Sequence, residues 1–152
     1  MKIKLLLALL SLSFAGAASA QLKPEDAIKI RQSGYGFMAW NMGRIKMNVE
    51  GGQYNKEEVV KAANAIQAIA NSGMGALYVP GSDKGKGWED TRVKAELFTN
   101  KEGVGKVAGA FVKEANEMAK VAATGDAAAA KEQFGKLGAS CKGCHDDFKV
   151  KK

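Results

Sequence analysis

Near the end of the chain stand Cys141, Lys142, Gly143, Cys144 and His145, holding the only two cysteines and the only histidine in the sequence. On a helix, residues three and four apart lie on one face. Both thiols then reach one edge of a bound group, and the imidazole lies beside them. That set suits covalent attachment of one c-type haem. Each sulfur bonds one of two vinyl groups on a single edge of the macrocycle, and His145 swings under its plane to ligate the iron. Other chemistries need residues that are missing. A zinc site takes about four ligands, and no further cysteine or histidine occurs. A thioredoxin-like pair is expected beside a strand–helix–strand pattern, which the sequence does not show. A disulfide between Cys141 and Cys144 would constrain almost nothing.

The elements that position this motif are helical. Alanine, lysine and glutamate are common, prolines number two, and no stretch alternates with period two for long. Apolar spacing of three and four predicts four helices. The first covers about residues 24–49, with Pro24 in its first turn, Glu25 and Asp26 at its positive end, and Ala27, Ile30, Gly34, Tyr35, Met38, Met42, Ile45 and Val49 inward. The second covers about 55–72, capped by Asn55 with Glu58 in the capping-box position. Its inner stripe is Val59, Ala62, Ala63, Ile66, Ile69 and Ala70. The third covers about 100–124, with Val104, Val107, Ala108, Phe111, Val112, Ala115, Met118, Ala119 and Ala122 inward. The fourth covers about 126–150, capped by Asp126, with Ala130, Phe134, Leu137, Gly138, Cys141, Cys144 and Phe148 inward. Residues 74–99 form a long connection broken by Pro80, Gly81, Gly85 and Gly87; Trp88 and Phe98 imply that it packs on something, and long connections in compact domains are often functional. Helices of similar length joined by short turns pack antiparallel. The fold expected is all-α: an antiparallel four-helix bundle with one covalently attached haem.

Residues 1–20 read as a secretory leader. Lys2 and Lys4 start it, Leu5 to Phe14 is mostly apolar, and Ala18-Ser19-Ala20 fits the cleavage rule. The apolar run is too short for a membrane anchor. The mature protein then begins at Gln21 as a single domain over residues 21–152, exported to the periplasm, where c-type haem is attached. Loss of Lys2 and Lys4 lowers the formal charge from +7 to +5. The lysines alternate with acids along the chain, as solvated helix faces do, whereas nucleic-acid binding calls for a clustered stripe. A mildly basic surface for an acidic redox partner fits this charge.

The placement of the motif close to the C-terminus, with the domain upstream, resembles the class II c-type cytochromes, and most closely the cytochromes c′. The resemblance covers nearly all of the mature chain. Lys23 to Lys29 with Arg31, Gln32 and Ser33 is similar to the family's N-terminal segment, and Gly138 to Asp146 to its C-terminal helix. The resemblance implies that Arg31 and Gln32 lie near the haem propionates, and a guanidinium suits a carboxylate. Thr91 to Phe98 resembles a second haem-contacting stretch, which would include Lys94 and Glu96, but Ala95 and Phe98 stand where proline and tryptophan are usual. Lys149 stands where some members carry an arginine near the proximal ligand site; here it reads as a solvated lysine of a basic tail.

The sixth coordination position decides the function. The resemblance implies that Tyr35 covers the distal side of the iron. A phenol is bulky, mostly apolar and a poor ligand while protonated. The expected state is five-coordinate, high-spin iron with an apolar distal pocket, suited to electron transfer and to binding nitric oxide or carbon monoxide. The alternative is a low-spin, six-coordinate carrier with a methionine ligand. Met38 and Met42 are the candidates on that helix face, but methionines at helical spacing are usually core filler. A peroxidase-like enzyme would need a distal base, and His145 is already committed to iron. Homodimers are common in the family through the first two helices. Phe37 and Trp40, off the inner stripe, suit such a contact.

Overall fold

In a computed structural model the chain is described over residues 22–151, so the leader expected over 1–20 lies outside the described residues. Four long helices carry the fold: α1 (Pro24–Glu50), α2 (Lys56–Ala70), α4 (Lys101–Thr124) and α5 (Ala127–Phe148), with a short α3 (Glu96–Thr99) before α4. Each helix begins and ends for a local reason. Pro24 occupies the first turn of α1. The Asn55 side chain accepts the Glu58 amide at the start of α2, and Asp126 accepts the amides of Ala128 and Ala129 at the start of α5. These caps satisfy donors that the first helical turn leaves open. Gly125 turns the chain from α4 to α5 with φ of 82°, a conformation natural to glycine.

The four long helices close a ring: α1 packs on α2, α2 on α4, α4 on α5 and α5 back on α1. The expected four-helix bundle is the fold. Its closed core joins Met38 and Ile45 of α1, Val59, Ala62, Ala63 and Ile66 of α2, Ala115, Met118, Ala119 and Ala122 of α4, and Ala130 and Leu137 of α5.

Three details differ from the expected inner faces. Ile30 is 47% exposed while Ile28 is fully buried, because the buried face of α1 runs through Ile28, Arg31, Met38, Asn41, Ile45 and Asn48. Its polar members are satisfied locally: Asn41 donates to the Phe37 carbonyl, and Asn48 donates to Glu58 and accepts the Asn55 amide. In α4, Val104, Val107, Phe111 and Val112 are only half-buried and Ala108 is exposed. Finally, α5 stops at Phe148. Lys149 is extended and pairs with Val93, so Val150 lies outside the helix.

The connection between α2 and α4 lies along α1. It opens with a 3-10 turn, Met74–Leu77, and is held to α1 side chains throughout. Gly87 approaches α1 so closely that a Cβ there would sit 2.7 Å from the Lys29 nitrogen and 2.6 Å from Gln32 Oε1. Only glycine fits that position without displacing backbone. Trp88 does not bury its ring, which remains 64% exposed. It lies flat enough on α1 for Lys29 Nζ to sit 4.7 Å from the ring centroid, and its indole N–H donates to Ser33.

Candidate functional site

Cys141 and Cys144 stand one turn apart on α5, both half-buried and both free thiols. Burial raises both thiols above the ordinary range, and for Cys144 the neighbouring Cys141 and Asp147 add to the effect. They are therefore present as S–H groups near neutral pH rather than as thiolates. His145 follows at the exposed edge of the helix. Partial burial of its ring, with the cations of Lys149 and Arg92, holds the imidazole below its ordinary value, against the pull of Asp146. A neutral imidazole is the form that ligates a metal.

The helix is pinned at this end. The chain leaving His145 pairs with the end of the connection: the Lys94 amide donates to the Phe148 carbonyl at 3.0 Å, and the Val150 amide to the Arg92 carbonyl at 2.8 Å. Lys94 Nζ donates to the Asp146 and Asp147 carbonyls at 3.1 and 2.8 Å. A cation on the last carbonyls of a helix caps it and matches its dipole. Lys94 thus holds the two residues that follow the candidate iron ligand, whereas Glu96 is exposed at the start of α3.

Arg31 and Gln32 are both engaged by the connection. Arg31 is 2% exposed. Its two terminal nitrogens donate four hydrogen bonds, to the Leu77 carbonyl, the Ser82 hydroxyl, the Ser82 carbonyl and the Thr91 hydroxyl. Gln32 donates to the Glu89 carbonyl and accepts the amides of Trp88 and Glu89. The two residues therefore tie the connection to α1.

Tyr35 lies one turn beyond Arg31. Its hydroxyl is 2.9 Å from the Tyr78 hydroxyl. Both phenols are pushed above their ordinary range, first by burial, and the Cys144 thiol is near enough to both to add to this. The bundle thus brings Tyr35, Tyr78, Cys141, Cys144 and His145 to one end. Tyr78 was missing from the sequence reading. The only signal for it was its place in a long, glycine-punctuated connection.

The surrounding surface fits a haem. The fully buried residues of α4 begin at Ala115, and those of α5 break off after Leu137 until Phe148. Gln133 donates to the carbonyl and carboxylate of Glu114, which fixes the antiparallel register of α4 and α5. By that register Val107 and Val104 fall within one residue of the level of Cys141 and Cys144. The half-buried apolar side chains of α4 therefore lie toward the same end of the bundle as the two thiols, where a flat apolar macrocycle would need them. Among the described residues, no group of three or more His, Cys, Asp and Glu side chains could hold a bare metal ion. These donors suit a metal that arrives with its own equatorial ligands.

Residues 26–149 match the family model described as Cytochrome C′. The chain is 61% identical over 129 residues to a cytochrome c′ of Rhodocyclus tenuis, covering 85% of this chain and 97% of that protein. Among solved structures it is similar to a cytochrome c′ described as having an unusual ligand-controlled dimer dissociation, with 58% identity, a TM-score of 0.83, and 87% of this chain and 100% of that one covered. It is also similar to the cytochrome c prime of Alcaligenes xylosoxidans, solved as a ferrous variant with bound NO, with 30% identity, a TM-score of 0.76, and 86% of this chain and 98% of that one covered.

Proposed function

The chain belongs to the cytochrome c′ family of haem proteins, and from that premise we propose that it is an exported, single-haem protein with five-coordinate, high-spin iron that transfers electrons and binds small neutral gases. Cys141 and Cys144 hold the haem as thioethers. Each thiol would hold one vinyl-derived carbon of the haem, its proton going to the neighbouring carbon, so the link would need no oxidant. His145 ligates the iron through its neutral imidazole. The bound haem supplies a one-electron couple and an open coordination position; the protein tunes both through its axial ligand, burial and distal cover.

The observation that carries this reading is the side chain on the distal face. Tyr35 is a phenol, and its surroundings keep it protonated, so it covers without ligating. The methionine alternative is disfavoured by packing. Met38 is 7% exposed within the closed core, and Met42 packs against the same cluster, so both sulfurs serve as core filler. A distal face covered by the neutral Tyr35 ring suits small neutral diatomics such as nitric oxide and carbon monoxide. The Alcaligenes xylosoxidans relative with bound NO supports the same preference here. The leader over residues 1–20 supports a periplasmic site of action, with haem attachment there. Among the described residues no helix is long and apolar enough to cross a membrane.

We also propose a homodimer through α1. Phe37 and Trp40 are 51% and 57% exposed and stack on each other with centroids 5.5 Å apart. Exposed, stacked aromatics on one helix face are typical interface anchors.

Visible spectra of the oxidised, reduced and gas-treated protein test the main reading. The expected results are a high-spin ferric spectrum and uptake of nitric oxide by the reduced form. A low-spin spectrum with a methionine-to-iron band would refute the five-coordinate assignment. A periplasmic protein with the bare polypeptide mass would refute haem attachment itself.

A further inference from the structure

We infer that Tyr78 is a positioning residue that latches Tyr35 in place, so that access to the distal side is governed by one hydroxyl–hydroxyl bond between α1 and the connection. The inference rests on the reading of Tyr35 as the distal cover.

The two phenols are held very differently. Tyr35 is 41% exposed, so much of its ring is open to solvent. The specific contact of the Tyr35 tip is the Tyr78 hydroxyl at 2.9 Å. Tyr78, by contrast, is fixed from several directions. The Arg31 guanidinium lies 4.9 Å from its ring centroid. Phe98 meets it edge-on, with centroids 6.3 Å apart. Its amide donates to the Gly75 carbonyl. Arg31 is itself immobilised by its four bonds to Leu77, Ser82 and Thr91. The order of support therefore runs from the connection to Arg31, from Arg31 to Tyr78, and from Tyr78 to Tyr35. Each phenol can donate or accept in the pair. Swinging Tyr35 aside to admit a ligand breaks that bond, while the Tyr78 side of it remains fixed.

The test is the rate of carbon monoxide binding to the reduced holoprotein, measured by stopped flow for wild type, Tyr35→Ala, Tyr35→Phe, Tyr78→Phe and the double Phe variant. A single intramolecular hydrogen bond corresponds to a change of about fivefold. Tyr78→Phe and Tyr35→Phe should each speed association by about that factor. The double variant should be no faster than either, since all three lack the same bond. A merely structural role for Tyr78 would not produce that non-additivity. Unchanged ferric and ferrous spectra of Tyr78→Phe will verify that this variant keeps its haem environment. If Tyr35→Ala speeds binding but Tyr78→Phe does not, the latch is wrong and the cover survives. If Tyr35→Ala binds at the wild-type rate, the cover is wrong and the latch falls with it.

Discussion

Replacing Arg31 by alanine should destabilise the protein by about 3 kcal/mol, and the reasoning follows from where its hydrogen bonds end. Arg31 is 2% exposed, and burial lowers its pKa, with Tyr78, Tyr35 and Asp83 opposing that shift. The folded state bears the cost of a desolvated cation and offsets it with four charge-assisted hydrogen bonds. Truncation removes the cost and the bonds together, so their sum is not the prediction. What remains is the set of acceptors left behind. The Leu77 carbonyl and Thr91 hydroxyl are only partly buried and regain water. The hydroxyl and carbonyl of Ser82 do not, because Ser82 is 0% exposed. Two buried acceptors at about 1–3 kcal/mol each, eased by local relaxation, give the figure of about 3 kcal/mol. For a domain of this size that is about a 10 °C fall in melting temperature. Urea unfolding of the holoprotein followed by circular dichroism measures it directly, with an unchanged m-value expected. Arg31→Lys keeps the charge but not the fork of donors, and should fall between wild type and Arg31→Ala. A loss below about 1 kcal/mol for Arg31→Ala would refute the argument, since it would mean that water reaches Ser82 or that the connection holds to α1 without the guanidinium.

Two further outcomes are expected. Tyr35 and Tyr78 have phenol pKa values raised by burial, so the folded state keeps protons that the unfolded chain gives up near pH 10. Their contribution is complete below that pH and is lost as pH rises through the folded values; alkaline unfolding of the Tyr35→Phe/Tyr78→Phe variant should show a flatter limb above pH 10, and an unchanged limb would exclude the pair as its source. Trp40→Ala removes one member of the exposed stack with Phe37 and the ring beneath Arg44, whose guanidinium lies 4.9 Å from it. Sedimentation should show a shift toward monomer with the visible spectrum intact, and a dimer of wild-type affinity would move the interface elsewhere.

The fold was legible wherever the sequence signals were local. Asn55 with Glu58, Asp126, and the apolar stripe of α2 each placed a boundary or a buried face because the interactions involved span two to four residues. Apolar spacing misjudged α1 for a physical reason. Its buried face includes Arg31, Asn41 and Asn48, polar residues that are acceptable inside only because partners satisfy them. Asn48 finds Glu58 and Asn55 across the α1–α2 turn, and Arg31 finds acceptors 46 to 60 residues away. A pattern that scores polar residues as outward-facing therefore rotates the helix and selects Ile30 over Ile28.

The same distinction divides the candidate site. Cys141, Cys144 and His145 could be read from the sequence because a single helix turn sets their relation, and α5 keeps it. The half-buried Val104, Val107 and Phe111 misled in a useful direction. They carry the spacing of a core face, yet they stay half-buried toward the end of the bundle where the thiols stand. Tyr78 and Ser82 could not be read at all. Their roles exist only once the connection folds back across α1, and nothing near them in sequence encodes the partner. Arg31 joins the two classes. Its type and its resemblance to a known segment singled it out, but its partners are distant, and it is through those partners, with its guanidinium 4.9 Å from the Tyr78 ring, that it fixes the connection against α1.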